Sequence, residues 1–505
     1  MARLHEYQGK KLLSEAGFEV PRGGVAGSPD EARQIAAVLG GRVVVKIQAW
    51  TTGRKALGGV RFADTPDQAA AIAEEMLAMT VGNFPVEQVL IEEYLDIRDE
   101  LFVSLSINDR ERQPMLLLAA SGGSGIEERA EQVFRIPCPV RTGPSEAEIR
   151  RFLSGAPVDR ALHDRLVASI VAVFAVARTH EARSVEINPL VTTNDGRVLA
   201  ADCRMTIDDY AVFRHPELGI EIARELDHPP TRLERIAYRV EQRDHRGTFY
   251  FAQLNTAPAP DTRGLVGFHG AGGGGSMMSM DALVAERFTI ANFTDTSGNP
   301  SSSKVYAAAR IILEQPGLCG YFGSGSGVAS QEQFWSAYGL AKAFWELNLA
   351  IPAVIRLGGN SEDRAVAILE RACSALPAIV EGYRKDDTPK AIAHRFGELV
   401  DASVQAGVEP WKPRRARMPG YVGSGRSYEI AGGRVWINPA NDRAAAERAA
   451  ELSMNTLRAE GADLVPAMEP EEFAKRDSEL IACEVESRMA GLDALFVELD
   501  IEGLG

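Results

Sequence analysis

The segment Glu186-Ile187-Asn188-Pro189-Leu190-Val191, followed by Leu199-Ala200-Ala201-Asp202, decides how the N-terminal half of the chain is read. Side chains alternate across a strand, so Glu186 and Asn188 share one face. The turn sequence Asn194-Asp195-Gly196 then lets the next strand return with Asp202 alongside. Oxygen donors from two adjacent strands suit Mg²⁺, which takes few protein ligands and leaves its other positions to water and nucleotide phosphate. A hairpin with polar residues at its rim is the competing account of the same pattern.

Upstream, Lys46 closes the apolar run VVVK and is followed by Gly53-Arg54-Lys55 and then Gly58-Gly59. Glycines let backbone amides approach a phosphate and the cations offset its charge. An ordinary hairpin with exposed cations fits that spacing as well. From Met1 to about Phe213, β-branched runs such as RVVVKI and LFVSLSI alternate with alanine-rich helical stretches, the mark of an α/β or α+β unit. Charged, proline-containing sequence then reads as a connector with some helix over 231–262. Beyond it, GLVGFHGAGGGGSMMSMDALVAE offers a strand, a glycine loop and a helix, and further helices and strands follow to PAVIRL, a doubly wound parallel pattern over 263–385. The remainder, 386–505, reads as a separate α+β extension with a helix at about 443–460, a second near PEEFAKRDSELIACEVESRMAG and a terminal strand in LDALFVELDI.

The whole chain is 505 residues long, too long for one core at roughly 100–200 residues per domain. It is 45% hydrophobic and 25% charged, and no apolar run approaches the roughly 18 residues of a membrane span. MARLHEYQGKKLL lacks the apolar centre of a signal peptide. Five scattered cysteines without C-x-x-C spacing suggest neither a disulfide framework nor a thiolate metal site, so a cytoplasmic location is expected. A net charge of −15 disfavours nucleic-acid and membrane partners and leaves anionic substrates to local amides and a few cations.

LHEYQGKKLL, VVKIQ, GRKALGGV, EINPLV and the aspartate fourteen residues after Asn188 resemble, in order and spacing, the β subunits of succinyl-CoA synthetases, over residues 1 to about 385. The resemblance implies an α/β protein: an ATP-grasp unit over 1–230 followed by a flavodoxin-like ligase domain over 263–385. It implies that Lys46, Gly53, Arg54 and Lys55 touch the phosphates of ATP or GTP, and that Glu92, Leu95 and Glu100 border adenine and ribose. It places Mg²⁺ on Asn188 and Asp202, and makes Glu186 the catalytic glutamate that meets a phosphohistidine loop delivered by an α-type partner. Lys55 departs from the family's Gly-Arg-Gly and leaves nucleotide preference open.

The loop His269-Gly270-Ala271-Gly272-Gly273-Gly274-Gly275 precedes a helix, whose free amides and dipole favour an anion. The resemblance assigns His269, Gly272, Gly273 and Gly274 to the carboxylic acid substrate, and either His269 or Ala271 matches the family's asparagine. His269 could alternatively be a phosphorylated nucleophile, a role the resemblance gives to the partner. A second acid-contacting loop, with Ser326, Gly327 and Val328, is longer than in succinate enzymes. Its hydroxyls and extra amides suit a roomier, more polar pocket, while Ala271–Ser276 (AGGGGS) and Ser297-Gly298-Asn299-Pro300-Ser301 look more like citryl-CoA synthetase and ATP-citrate lyase large subunits. The CoA-binding unit and phosphohistidine motif of α subunits are absent from the sequence. The expectation is therefore an ADP-forming acid–CoA ligase β subunit in a hetero-oligomer, with CoA held mainly by the partner. The alternatives are a citryl-CoA-synthetase-like large subunit and a nucleotide-binding regulatory subunit without turnover.

Overall fold

A computed structural model describes residues 1–51, 53–122, 133–244, 249–325, 329–430, 433–438 and 470–504. The chain divides into two compact units, Met1–Pro230 and Thr231–Gly505.

Among its described residues the first unit holds two large antiparallel sheets and a two-stranded one, Thr80–Val81 with Phe84–Pro85. In the smaller of the two large sheets, the strands run Gly23–Ala26, Val89–Glu93, Val43–Ile47, Val60–Ala63. Alternation sends Val43, Val45 and Ile47 into a core shared with Ile72, Met76 and Ile91. Helices Pro29–Leu39 and Pro66–Leu77 cover that face, and each starts the same way. Ser28 and Thr65 accept the amides of Glu31 and Gln68, and a proline at the first helical turn supplies a suitable φ. In the larger sheet Ala182–Thr193 lies between Ile97–Asn108 and Arg204–Ile207. Helix His163–Thr179 buries Leu166, Ile170, Val173 and Ala177 beside it, a stripe with three- and four-residue spacing.

The second unit is built on a sheet whose strands Gly264–Ala271, Leu318–Gly325, Ala353–Arg356 and Val380–Tyr383 pair in parallel. Asn292–Asp295 flanks the first of them, and Tyr250–Gln253 closes that edge antiparallel to it. Residues 231–262 are thus not a connector throughout. Thr231 and Glu234 form a reciprocal capping box on helix Arg232–Gln242, and Leu233, Ile236 and Ala237 bury its apolar side. Glu234 also accepts the amide of Gln253 and ties the helix to the edge strand. Some helix was expected here, and it is the four-residue edge strand that the sequence pattern did not reveal.

The boundary expected at 385 likewise moves. Helix Pro389–Gln405 packs Ile392, Phe396, Leu399 and Val400 against Val266, Phe268, Phe322 and Val354 of the parallel sheet. Further on, Arg426–Ile430, Gly433–Ile437 and Leu495–Leu499 form a three-stranded antiparallel sheet. Helix Pro470–Met489 joins the core through Leu480, Ile481 and Val485. The helix expected at 443–460 lies outside the described residues. Among the described residues no helix is long and apolar enough to cross a membrane.

Candidate functional site

The alternation that sends Val45 and Ile47 into the core turns Lys46 to the other face of its strand, where it meets helix Glu6–Glu15. Its Nζ donates to Glu6 Oε1 (2.9 Å), Glu92 Oε2 (2.7 Å) and the Ala201 carbonyl (2.7 Å). Lys10 sits one helical turn after Glu6 and donates to Glu92 Oε1 (2.6 Å) and to the same carbonyl (2.9 Å). Arg54 completes the set, with Nη1 on Glu6 Oε2 (2.6 Å) and Nη2 on both oxygens of Asp202 (2.6 Å each). Three cations and three carboxylates therefore interlock, and all but Asp202 are nearly removed from solvent.

Electrostatics keep Glu6, Lys46 and Arg54 charged. Burial alone would raise the Glu6 carboxyl, but Lys10, Lys46 and Arg54 together hold it well below the usual carboxylate range. Burial alone would lower Lys46 and Arg54, and the carboxylates of Glu6, Glu92 and Asp202 instead raise Lys46, as Glu6 and Asp202 raise Arg54. A carboxyl with a depressed folded-state value contributes stability that is complete above its unfolded value, near 4.5, and is lost as pH falls below it. Glu6→Gln is expected to lower stability at neutral pH and to flatten the acid side of the stability–pH curve. Urea midpoints measured from pH 7 down to about 3 check this, and parallel curves for the two proteins would contradict it.

The loop carrying Arg54 needs its glycines. Gly53 has φ 67°, a left-handed conformation. A Cβ on Gly59 would meet Ile47 Cδ1 at 2.5 Å. Lys55 faces solvent on this turn.

Asn188 and Asp202 are brought together by register. Leu190 pairs with Ala200 on one side and Glu186 with Arg204 on the other, so the two ladders share a register that sets Asn188 opposite Asp202. Glu186 lies two residues along the same face, 3.8 Å from Arg204. It lines a cavity of about 140 Å³ with Glu6, Trp50, Thr51, Arg54 and Arg204. The hard oxygen donors of Asn188 and Asp202 fit a magnesium ion.

The other expected nucleotide contacts separate. Glu92 is buried and its carboxylate is taken by Lys10 and Lys46, so it braces the lysines where a ribose contact was expected. Leu95 packs with Val191 and Leu199. Glu100, opposite Val191, is exposed. Sequence inspection assigned no role to Glu6 and Lys10. Their i, i+4 spacing on an otherwise apolar helix face was the available signal.

In the second unit, His269 does not reach the glycine loop's open side. Its Nδ1 meets Tyr321 Oη at 2.6 Å and its Nε2 meets Thr296 Oγ1 at 3.2 Å, and only 5% of the residue is exposed. Burial pushes its pKa down to about 4, so the ring is neutral. Both the direct acid contact and the nucleophile alternative need a ring nitrogen facing solvent, and this burial opposes them. Gly272 (φ 95°) caps helix Gly273–Ala285. Its amide donates to Asp295 Oδ1 (2.9 Å), which also accepts Ser297 N (2.8 Å). The chain's own carboxylate thus stands at this helix start beside Gly273, with Gly274 open to solvent. Ser326, Gly327 and Val328 lie outside the described residues.

Comparison with known proteins agrees with this architecture. A family model described as an ATP-grasp domain matches residues 3–192. The GDP-forming succinate–CoA ligase β subunit of Thermus thermophilus is 34% identical over 372 residues, covering 73% of this chain and 93% of that one. The ADP-forming β subunit of Chloroflexus aurantiacus is 33% identical over 405 residues, 79% of this chain and 100% of that one. Among solved structures, ATP citrate lyase from Methanothrix soehngenii, in complex with citrate and coenzyme A, superposes with a TM-score of 0.64. It is 19% identical and covers 79% of this chain and 99% of that one, a likeness of fold. With an ATP-grasp unit in front, a parallel-sheet unit behind and this identity over nearly the whole length of its relatives, the chain belongs to the family of succinate–CoA ligase β subunits.

Proposed function

We propose that this chain is the nucleotide-binding subunit of an ADP-forming acid–CoA ligase, which converts ATP, a carboxylic acid and CoA into acyl-CoA, ADP and phosphate together with an α-type partner. The observation that carries this reading is the convergence of Lys46, Arg54, Asn188 and Asp202 beside the Glu186-lined cavity in a chain of this family. Lys46 and Arg54 are already held by carboxylates, so a nucleotide phosphate entering the site exchanges one anion for another. That exchange lets a buried cation bind phosphate without being left unpaired. Mg²⁺ held by Asn188 and Asp202 would neutralise charge on the phosphates during transfer. Lys46 and Arg54 orient the terminal phosphoryl group in this reading, and Glu186 meets the partner's histidine at the cavity. The phosphoryl group then passes by way of that histidine to the acid, and CoA displaces it.

Coexpression with an α-type subunit, followed by a panel of carboxylic acids assayed with ATP or GTP for CoA-dependent nucleoside diphosphate release, tests the proposal. Acid-dependent turnover, with γ-phosphate label on the partner, is the expected result. Label on this chain, or no turnover with any acid, would overturn it.

A further inference from the structure

Away from the lysine–carboxylate network, the first unit gathers a second group of ligating side chains. His180 ends helix His163–Thr179, and His215 and Glu217 come from the short 3₁₀ turns Val212–Arg214 and Pro216–Leu218 and the residue between them. One ligand atom from each of the three lies within 4.8 Å of the others. His180 Nδ1 is shielded from solvent and has no hydrogen-bond partner, a costly arrangement for a polar atom. His215 is divided between two carboxylates: Nδ1 is 3.2 Å from Glu217 Oε1 and Nε2 is 3.0 Å from Glu181 Oε2. Glu181 is fixed in turn by Arg214 through two hydrogen bonds, at 2.8 and 2.7 Å.

We propose that His180, His215 and Glu217 bind a divalent transition-metal ion of the Zn²⁺ class, at a site separate from the nucleotide phosphates. Two imidazole nitrogens and one carboxylate oxygen form a donor set that Zn²⁺ uses, leaving a fourth position for water. Imidazole donors select against Mg²⁺, which prefers oxygen, so the ion is distinct from the one expected at Asn188 and Asp202. His215 binds through Nδ1, the nitrogen already beside Glu217, while Nε2–H donates to Glu181. Such a carboxylate behind a ligating histidine fixes its tautomer and strengthens it as a ligand. The Glu217 side chain is 56% exposed and is free to swing the short distance that closes the set. The ion would staple the end of helix His163–Thr179 to residues 212–218, a structural part in this unit and not a reacting one.

The test uses the untagged full-length chain, titrated with Zn²⁺ in millimolar Mg²⁺ against a chromophoric competitor, and with Co²⁺ followed by its visible d–d bands. One equivalent of saturable binding is expected, with a raised thermal midpoint. Affinity should fall at least tenfold in His180→Ala and in His215→Ala, and about tenfold in Glu181→Gln, which removes the supporting carboxylate but no ligand. Glu217→Gln serves where a histidine variant fails to fold. No saturable binding in the parent chain, or unchanged binding in the folded variants, would overturn the proposal.

Discussion

Asp202→Asn is expected to lower the turnover of the assembled ligase by at least about a hundredfold while leaving the fold intact. Asp202 is the most exposed member of the network, with 27% of its side chain open, and its two oxygens face Arg54 in a bidentate pair. The amide keeps the shape and one acceptor, and Arg54 retains Glu6 at 2.6 Å, so no buried cation is orphaned. What is lost is negative charge opposite Asn188, where the proposed Mg²⁺ would sit. Removing one preorganised electrostatic group from a reacting centre typically costs about 10²–10³ in rate. The loss should fall on kcat and on the Mg²⁺ concentration required, with the thermal midpoint nearly unchanged. Activity within about threefold of the parent would remove Asp202 from the proposed metal site, whereas a collapsed midpoint would show that its role is in folding.

Lys342→Met is expected to destabilise the second unit by about 3–5 kcal/mol, the usual consequence of deleting one partner of a buried ion pair. Lys342 is fully buried on helix Phe334–Leu347 and donates to Glu346 one turn later and to Glu484 of helix Pro470–Met489 (2.7 Å), both of them also buried. The Glu484 carboxylate further accepts the amide of Val497 (2.9 Å), so one side chain joins the parallel-sheet unit, the late helix and the last strand. Methionine fills the lysine's volume but leaves Glu484 without that cation. Lys342→Met with Glu484→Leu should recover part of the loss, because Glu346 still has Tyr306 and Arg310. Urea unfolding followed by tryptophan fluorescence measures it. A loss below about 1 kcal/mol would contradict this account.

Local pattern made the smaller elements legible. In Val43–Ile47 every second residue is apolar and buried, and the turn at Asn194-Asp195-Gly196 starts the register that, continued by the pairing of Glu186 with Arg204, faces Asn188 with Asp202. The edge strand Tyr250–Gln253 and helix Pro389–Gln405 were harder. The strand is four residues long, and the helix follows the charged stretch RKDD, so each resembles a connector until its packing against the sheet is seen.

By itself the sequence determined that the chain is α/β, that a phosphate-suited lysine and glycine loop precede a carboxamide–carboxylate hairpin, and that a glycine loop opens a parallel-sheet unit. Each of these rests on periodicity or turn chemistry within about twenty residues. Only the tertiary structure decided that Glu6, Lys10 and Glu92 complete the lysine–arginine network, and that His269 is sealed beneath its loop. It alone decided that Glu484 neutralises Lys342. Those outcomes depend on charges distant in sequence meeting where water is excluded, with 142 residues separating Lys342 from Glu484. No local pattern distinguishes a charge that will be paired in the interior from one that will remain in solvent.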